Sequence, residues 1–237
     1  DRDWRSWWYD APDVRYTQVM AKDNVPFHTV MFPATQLGTR EPWTTVDHVK
    51  AFSWLTYYGG KFSTSQQRGI FTDAALEILP ADLWRYYLLA NAPESDDTSF
   101  TWELFASSVN NDLANTLGNF VNRVLSFSSR RFGPTAPAGG TPGPAEERLS
   151  RDVAAALGRY EAHMDALEVR KAAQALRGLW SLGNAYLETT APWSQVKVDP
   201  DAAALTLRTA MSLAHLCSVV SEPFVPELSQ TIRSAFD

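Results

Sequence analysis

Residues 101–133 read TWELFASSVNNDLANTLGNFVNRVLSFSSRRFG. Within them Trp102, Phe105, Val109, Leu113, Leu117, Phe120, Val124 and Leu125 recur mostly at spacings of three and four. That spacing gathers apolar side chains into one stripe along a helix, so the stretch predicts a single helix of roughly 30 residues with one buried side. Arg130 and Arg131 suit the negative end of its dipole, and Gly133 suits the position just past the last turn.

The helical pattern continues downstream. Residues 133–145, GPTAPAGGTPGPA, hold four prolines and four glycines, a composition that reads as a loop or flexible linker. Further helical periods cover residues 146–165, 169–189 and 201–220, with a shorter one over 226–236. Long amphipathic helices joined by short links predict an antiparallel bundle. Upstream, DAALEIL is followed by Pro80, placed where proline suits a first helical turn, and by ADLWRYYLLAN. The polar stretch NAPESDDTSF then leads into the long helix. The first sixty residues differ: β-favouring runs at Thr29–Phe32 and Phe52–Tyr58 alternate with turn-rich pieces such as PATQLGTREP. The chain therefore reads as mostly α with an α/β N-terminal part.

At 237 residues and 45% apolar, the chain can bury one or two cores. Its 27 acids against 21 bases leave a net charge of -6, which argues against broad electrostatic nucleic-acid binding and confines any such contact to a local patch. A single cysteine, Cys217, excludes a disulfide framework and a cysteine zinc site within the chain and fits a reducing, cytosolic setting. No run of 18 apolar residues occurs, and DRDWRSWWYD lacks the pattern of a secretion signal. No membrane role is expected. Beginning at Asp1 without methionine, the chain reads as a piece of something longer.

Between the two regions lies GGKFSTSQQRG, residues 59–69, with glycines, hydroxyls, a lysine, an arginine and no acid. Adjacent glycines let backbone N–H groups approach a phosphate, and hydroxyls and lysine add donors and charge. The order is not that of a Walker loop. Taken alone, it reads as a polar surface loop whose Gly59 and Gly60 make a turn.

Its surroundings add a resemblance. KFSTS resembles the KMSKS loop of class I aminoacyl-tRNA synthetases, and MAKDNVPFHTVMFPATQLGT upstream looks like the GKDNVPFH block of methionyl-tRNA synthetases. PADLWRYYLL, NDLANTLGNFVNR and NAYLETTAPW resemble later blocks of the same family, in the family's order, so that the likeness runs from about Trp7 to Phe236. The resemblance implies an enzyme that activates methionine with ATP, as its Mg2+ complex, to methionyl-adenylate and transfers the methionyl group to tRNA(Met) in the cytoplasm. It implies residues 1–60 as the end of a Rossmann-type catalytic domain, 61–100 as the KMSKS-like loop and connecting segment, and 101–237 as a helical anticodon-binding domain. The HIGH motif and a zinc-bearing insertion of the family would lie outside this chain, in the same or a separate polypeptide, so the chain alone is not expected to be active.

The resemblance also implies residue roles. Lys61, Ser63 and Ser65 align with the loop residues that embrace the ATP phosphates and stabilise the leaving pyrophosphate. Thr64 stands where the common motif has its second lysine, and Arg68 is the nearest cation to replace it. Asp23, after Lys22, aligns with the aspartate that accepts from the ATP ribose, and Ala21 replaces the usual glycine before it. His28 aligns with a histidine of the methionine pocket; a lone histidine by itself reads as a satisfied core residue. Asn119 and Arg123 match an anticodon-reading pair, with Asn115 one turn earlier on the same face, and Trp193 a tryptophan that stacks on an anticodon base, with Asn184 in support. The four histidines, His28, His48, His163 and His215, share no metal spacing, and no metal is assigned within the chain. Two other readings compete: a tRNA-binding or synthetase-complex assembly module that has lost catalysis, which Thr64 favours, and a pure scaffold, which calls for an exposed apolar patch.

Overall fold

The computed structural model describes residues 3–236. They form two compact units, residues 3–68 with 92–100 and residues 69–91 with 101–236.

The first unit opens with a single turn, α1 (Arg5–Trp8), followed by strand β1 (Thr17–Ala21). β1 pairs in parallel with β2 (His48–Phe52), in register from Thr17 opposite His48 to Ala21 opposite Phe52. Parallel neighbours need a long crossover, usually helical. Here it comprises a 3-10 turn at Lys22–Asn24, a π-helical turn at Phe27–Met31 and α2 (Phe32–Thr39). The β-favouring run read at Thr29–Phe32 is thus helical. Pro26, at φ -61 and ψ -32, and Pro33, at the start of α2, preset helical dihedrals, and the Thr29 hydroxyl donates to Val25 O at 2.8 Å. The strand preference of Thr29 and Val30 is too weak to resist the crossover. The run at Phe52–Tyr58 is broken in two: β3 (Leu55–Tyr57) leaves β2 and pairs in parallel with β4 (Thr98–Phe100).

The second unit is helical throughout its regular elements. It begins with α3 (Thr72–Ile78) and α4 (Ala81–Ala90). The long helix read at residues 101–132 is continuous from Trp102 to Phe132, as α5 (Trp102–Ser108), a π-helical stretch at Val109–Gly118, and α6 (Asn119–Phe132). Thr101 Oγ1 caps its start by accepting from Leu104 N, and Gly133 ends it at φ 85. Phe105, Leu113, Leu117, Phe120 and Val124 of the stripe are buried.

Next come α7 (Pro144–Asp165), α8 (Val169–Thr190), the short α9 (Pro192–Gln195), α10 (Pro200–Ser221) and α11 (Pro226–Ser234). Three residues join α7 to α8, so the pair folds back on itself. Trp180, Tyr86, Phe120, Leu176, Leu187 and Phe224 fill the centre. Two of the polar groups inside it are matched: Trp180 Nε1 donates to Ser221 Oγ at 3.0 Å, and Tyr86 OH to Asp112 Oδ2 at 2.8 Å. Asp82 of α4, almost fully buried, accepts from Leu228 N at the start of α11 (2.7 Å), while its Oδ1 has no partner. α10 is long and apolar enough to cross a bilayer by length and composition, yet Ala203, Leu207, Ala210, Ala214 and Cys217 are buried within the bundle, as in the core helix of a globular domain. The Pro/Gly-rich segment is tied down: Arg208 of α10 donates to Pro137 O and Gly139 O at 2.7 and 2.9 Å.

Candidate functional site

In the first unit, the glycine-hydroxyl loop is two back-to-back tight turns. Tyr57 and Gly60 bridge each other, with Tyr58 and Gly59 between them at φ 47 and 76; the left-handed pair matches the turn that joins twisted strands and explains the glycine. Ser63 and Arg68 then exchange both backbone hydrogen bonds, at 2.9 and 2.8 Å, around a second turn. A methyl group on Gly60 would stand 1.6 Å from the Arg68 guanidinium. The second glycine therefore makes room for a cation of this chain. Ser63 Oγ and Ser65 Oγ are 3.2 Å apart, and Gln66 N donates to Ser63 Oγ. The two alcohols share one side of the turn. Lys61, Thr64 and Arg68 are exposed around it.

Lys22 approaches the same loop through residues that the sequence left unremarked. Its Nζ donates to Asp97 Oδ1 at 2.7 Å and lies 4.3 Å from the centre of the Trp54 ring. Lys61 Nζ lies 5.1 Å from the same ring. Asp97 Oδ1 also accepts from Trp54 N at 3.0 Å. The Lys22 side chain, followed by the Trp54 N–H, holds the Asp97 carboxyl below the usual carboxylate range. Asp23 is exposed on the turn that carries Lys22. His28 is half-buried, with Nδ1 3.0 Å from Gln18 Oε1. Gln18 Nε2 is given to Tyr16 OH, which leaves the amide oxygen to face the ring.

In the second unit, Arg123, Asn184 and Trp193 come together. The Arg123 guanidinium lies 4.9 Å from the centre of the Trp193 ring, 3.5 Å from Asn184 Oδ1 and 3.8 Å from Glu188 Oε1. Asn184 Nδ2 donates to Thr116 O at 2.9 Å, which fixes the amide's orientation. Glu188 was not among the residues singled out; it stands one helical turn beyond Asn184 on α8, a spacing that could have found it. Two backbone features set this geometry. At Gly183 a Cβ would meet the Phe120 ring at 2.5 Å, so only glycine lets α8 lie close against α6. Ala191 takes a left-handed φ of 44 and turns the chain sharply into Pro192 and Trp193. Asn115 and Asn119 are exposed on the preceding turns, Asn115 within the π-helical stretch and Asn119 at the start of α6. Trp193 remains 38% exposed, enough to offer a face to a planar partner while the guanidinium and amides supply fixed donors and acceptors. Among the described residues, no three His, Cys, Asp or Glu side chains gather as a metal site.

Comparison with known proteins gives the following. Residues 1–125 match the family described as tRNA synthetases class I (M), and residues 136–237 match the anticodon binding domain of methionyl tRNA ligase. A methionine--tRNA ligase of Streptomyces avermitilis is 69% identical over the whole chain, and one of Caulobacter vibrioides 59%. Among solved structures, Mycobacterium tuberculosis methionyl-tRNA synthetase in complex with methionyl-adenylate superposes with a TM-score of 0.84 at 26% identity, covering 91% of this chain and 43% of that one. Its free form gives 0.80 at 25% identity, with 92% and 42% covered. The chain spans 42% of the length of the two curated relatives.

Proposed function

The chain belongs to the class I methionyl-tRNA synthetases, and from that membership we propose that it supplies the triphosphate clamp and the anticodon-reading surface for loading methionine onto tRNA(Met). The observation that carries this reading is the Arg123 guanidinium set over Trp193 and beside Asn184, the latter two within the part matched to anticodon binding.

In the first step the methionine carboxylate attacks the α-phosphorus of ATP, the bond to the bridging oxygen breaks, and pyrophosphate leaves. Negative charge grows on that leaving group. Lys61 and Lys22 neutralise it, Ser63 and Ser65 donate hydrogen bonds, and Mg2+ arrives with ATP as part of the substrate. Thr64 contributes a neutral hydroxyl where the family motif has a cation, and Arg68, at the base of the same turn, replaces the missing charge. Asp23 accepts from the ribose hydroxyls, and His28 lines the methionine pocket. In the second step the terminal ribose of the tRNA attacks the adenylate and AMP departs. Anticodon bases stack on Trp193, and Asn115, Asn119, Arg123 and Asn184 read their edges. HIGH-type residues come from polypeptide outside this chain, as would any zinc. The work belongs in the cytoplasm, where tRNA is charged.

The test is aminoacylation by the complete gene product with ATP, methionine and tRNA(Met). An ester-linked methionyl-tRNA is expected, and its absence sinks the reading. Within that assay, Trp193→Ala should weaken binding of a CAU stem-loop about 5- to 100-fold, the range expected for one lost base stack. Its melting temperature should stay near the parent's. A parent that binds scrambled and cognate anticodons equally well would remove the site assignment. The alternative, a tRNA-binding or assembly module without catalysis, draws on Thr64 and predicts cognate binding with no adenylate.

A further inference from the structure

We propose that Trp54 is a positioning residue for the triphosphate clamp, holding Lys22 and Lys61 within reach of one anion; the inference rests on the function proposed above. Two ammonium groups from distant parts of the chain lie 4.3 and 5.1 Å from the centre of a single indole. Left alone, two flexible lysines of like charge would spread apart and sample many rotamers. A π face attracts both and so offsets part of the repulsion between them.

The platform itself is fixed by its backbone. Trp54 N donates to Asp97 Oδ1 at 3.0 Å, and Trp54 O accepts from Thr98 N at 3.0 Å. Ser53 N is also held, by Pro93 O at 2.7 Å. The same Asp97 oxygen binds Lys22 Nζ at 2.7 Å, so one carboxylate locates both the ring and one of the cations on it. Among the described residues, Lys61 Nζ is positioned by the indole alone. An incoming triphosphate then meets charge already gathered, and little ordering remains to be done on binding.

The distinguishing property is the ring's quadrupole, not its bulk. Pyrophosphate exchange by the complete gene product, at saturating methionine, should therefore separate three variants. Trp54→Phe should keep the KM for ATP within about twofold of the parent, because a phenyl face still attracts cations, whereas Trp54→Leu and Trp54→Ala should raise it about tenfold, the size expected from two weak cation contacts. The KM for methionine should not move. Equal KM values for ATP in the Phe and Leu variants would show that only apolar bulk matters and would overturn the proposal. So would a parallel rise in the KM for methionine. Should Trp54→Leu lose its fold, Asp97→Asn provides the second arm: it keeps an acceptor for Trp54 N but removes the negative charge that holds Lys22 on the ring, and an unchanged KM for ATP there would also overturn the inference. A parent that forms no adenylate sinks the proposed function separately. Calorimetric titration with inorganic tripolyphosphate then reads Trp54 directly: tighter binding to the Phe than to the Leu variant supports its role, and equal binding, or none by either, refutes it.

Discussion

At Gly183 and Gly60 the space that a missing side chain leaves is taken by a ring and by a guanidinium. Gly183→Ala would push on Phe120, which is fully buried. Overpacking of this kind costs about 1–3 kcal/mol, and for a chain of this size each kcal/mol lowers Tm by roughly 2–4 °C. Scanning calorimetry should show that drop, and the displaced Asn184 should weaken anticodon binding along with it. Arg68 tests a different idea. If its guanidinium replaces the charge absent at Thr64, Arg68→Ala should slow adenylate formation about 100- to 1000-fold, in the range of losing one pre-placed donor. An unchanged rate in a single-turnover assay would leave Thr64 without a compensating cation.

Among the elements, the start of α7 carries a pH-sensitive tie. Glu146 accepts from Gly143 N at 2.9 Å and from Tyr186 OH of α8 at 2.6 Å. Burial pushes its carboxyl up, but the hydrogen bonds from Tyr186 and Gly143 outweigh this and the net shift is downward. A carboxyl depressed in the folded state stabilises above the unfolded value, about 4.3, and loses that contribution as pH falls through the folded one. Stability of the parent should therefore fall faster than that of Glu146→Gln between about pH 5 and pH 3, measured by urea unfolding across the range. Equal slopes would remove Glu146 from the acid response. The same helices show which features the sequence could reveal. The spacings in residues 101–132, 146–165 and 201–220 identify helices because each buries a stripe set by local periodicity. Thr29–Phe32 misleads because its helical state answers to the parallel pairing of β1 with β2, a demand imposed from outside the segment. Trp54 and Asp97 escape notice for a related reason: they meet across 43 positions of chain, and no local pattern announces it. The family likeness singled out Arg123 and Trp193, which the fold brings together, whereas Glu188 beside them called for following the four-residue spacing from Asn184 along α8.

For the whole molecule, Cys217 is a reporter of how the helical unit opens. It is fully buried, and burial pushes its thiol up to about 12. Near pH 8 the native thiol is thus protonated and out of reach of reagents. Labelling by a thiol reagent should proceed at the rate or population of opening, and rise steeply in denaturant. Fast labelling in native buffer would show that the core around α10 is looser than its packing implies.

The link between Asp82 and the amide of Leu228 has a practical bearing on anyone shortening the polypeptide. Without its final helix, the protein would keep the Asp82 carboxyl on α4 but lose the backbone donor that answers it. Trimming from the carboxyl end is therefore not a harmless convenience for expression: the damage would surface on α4, at a residue far earlier in the chain.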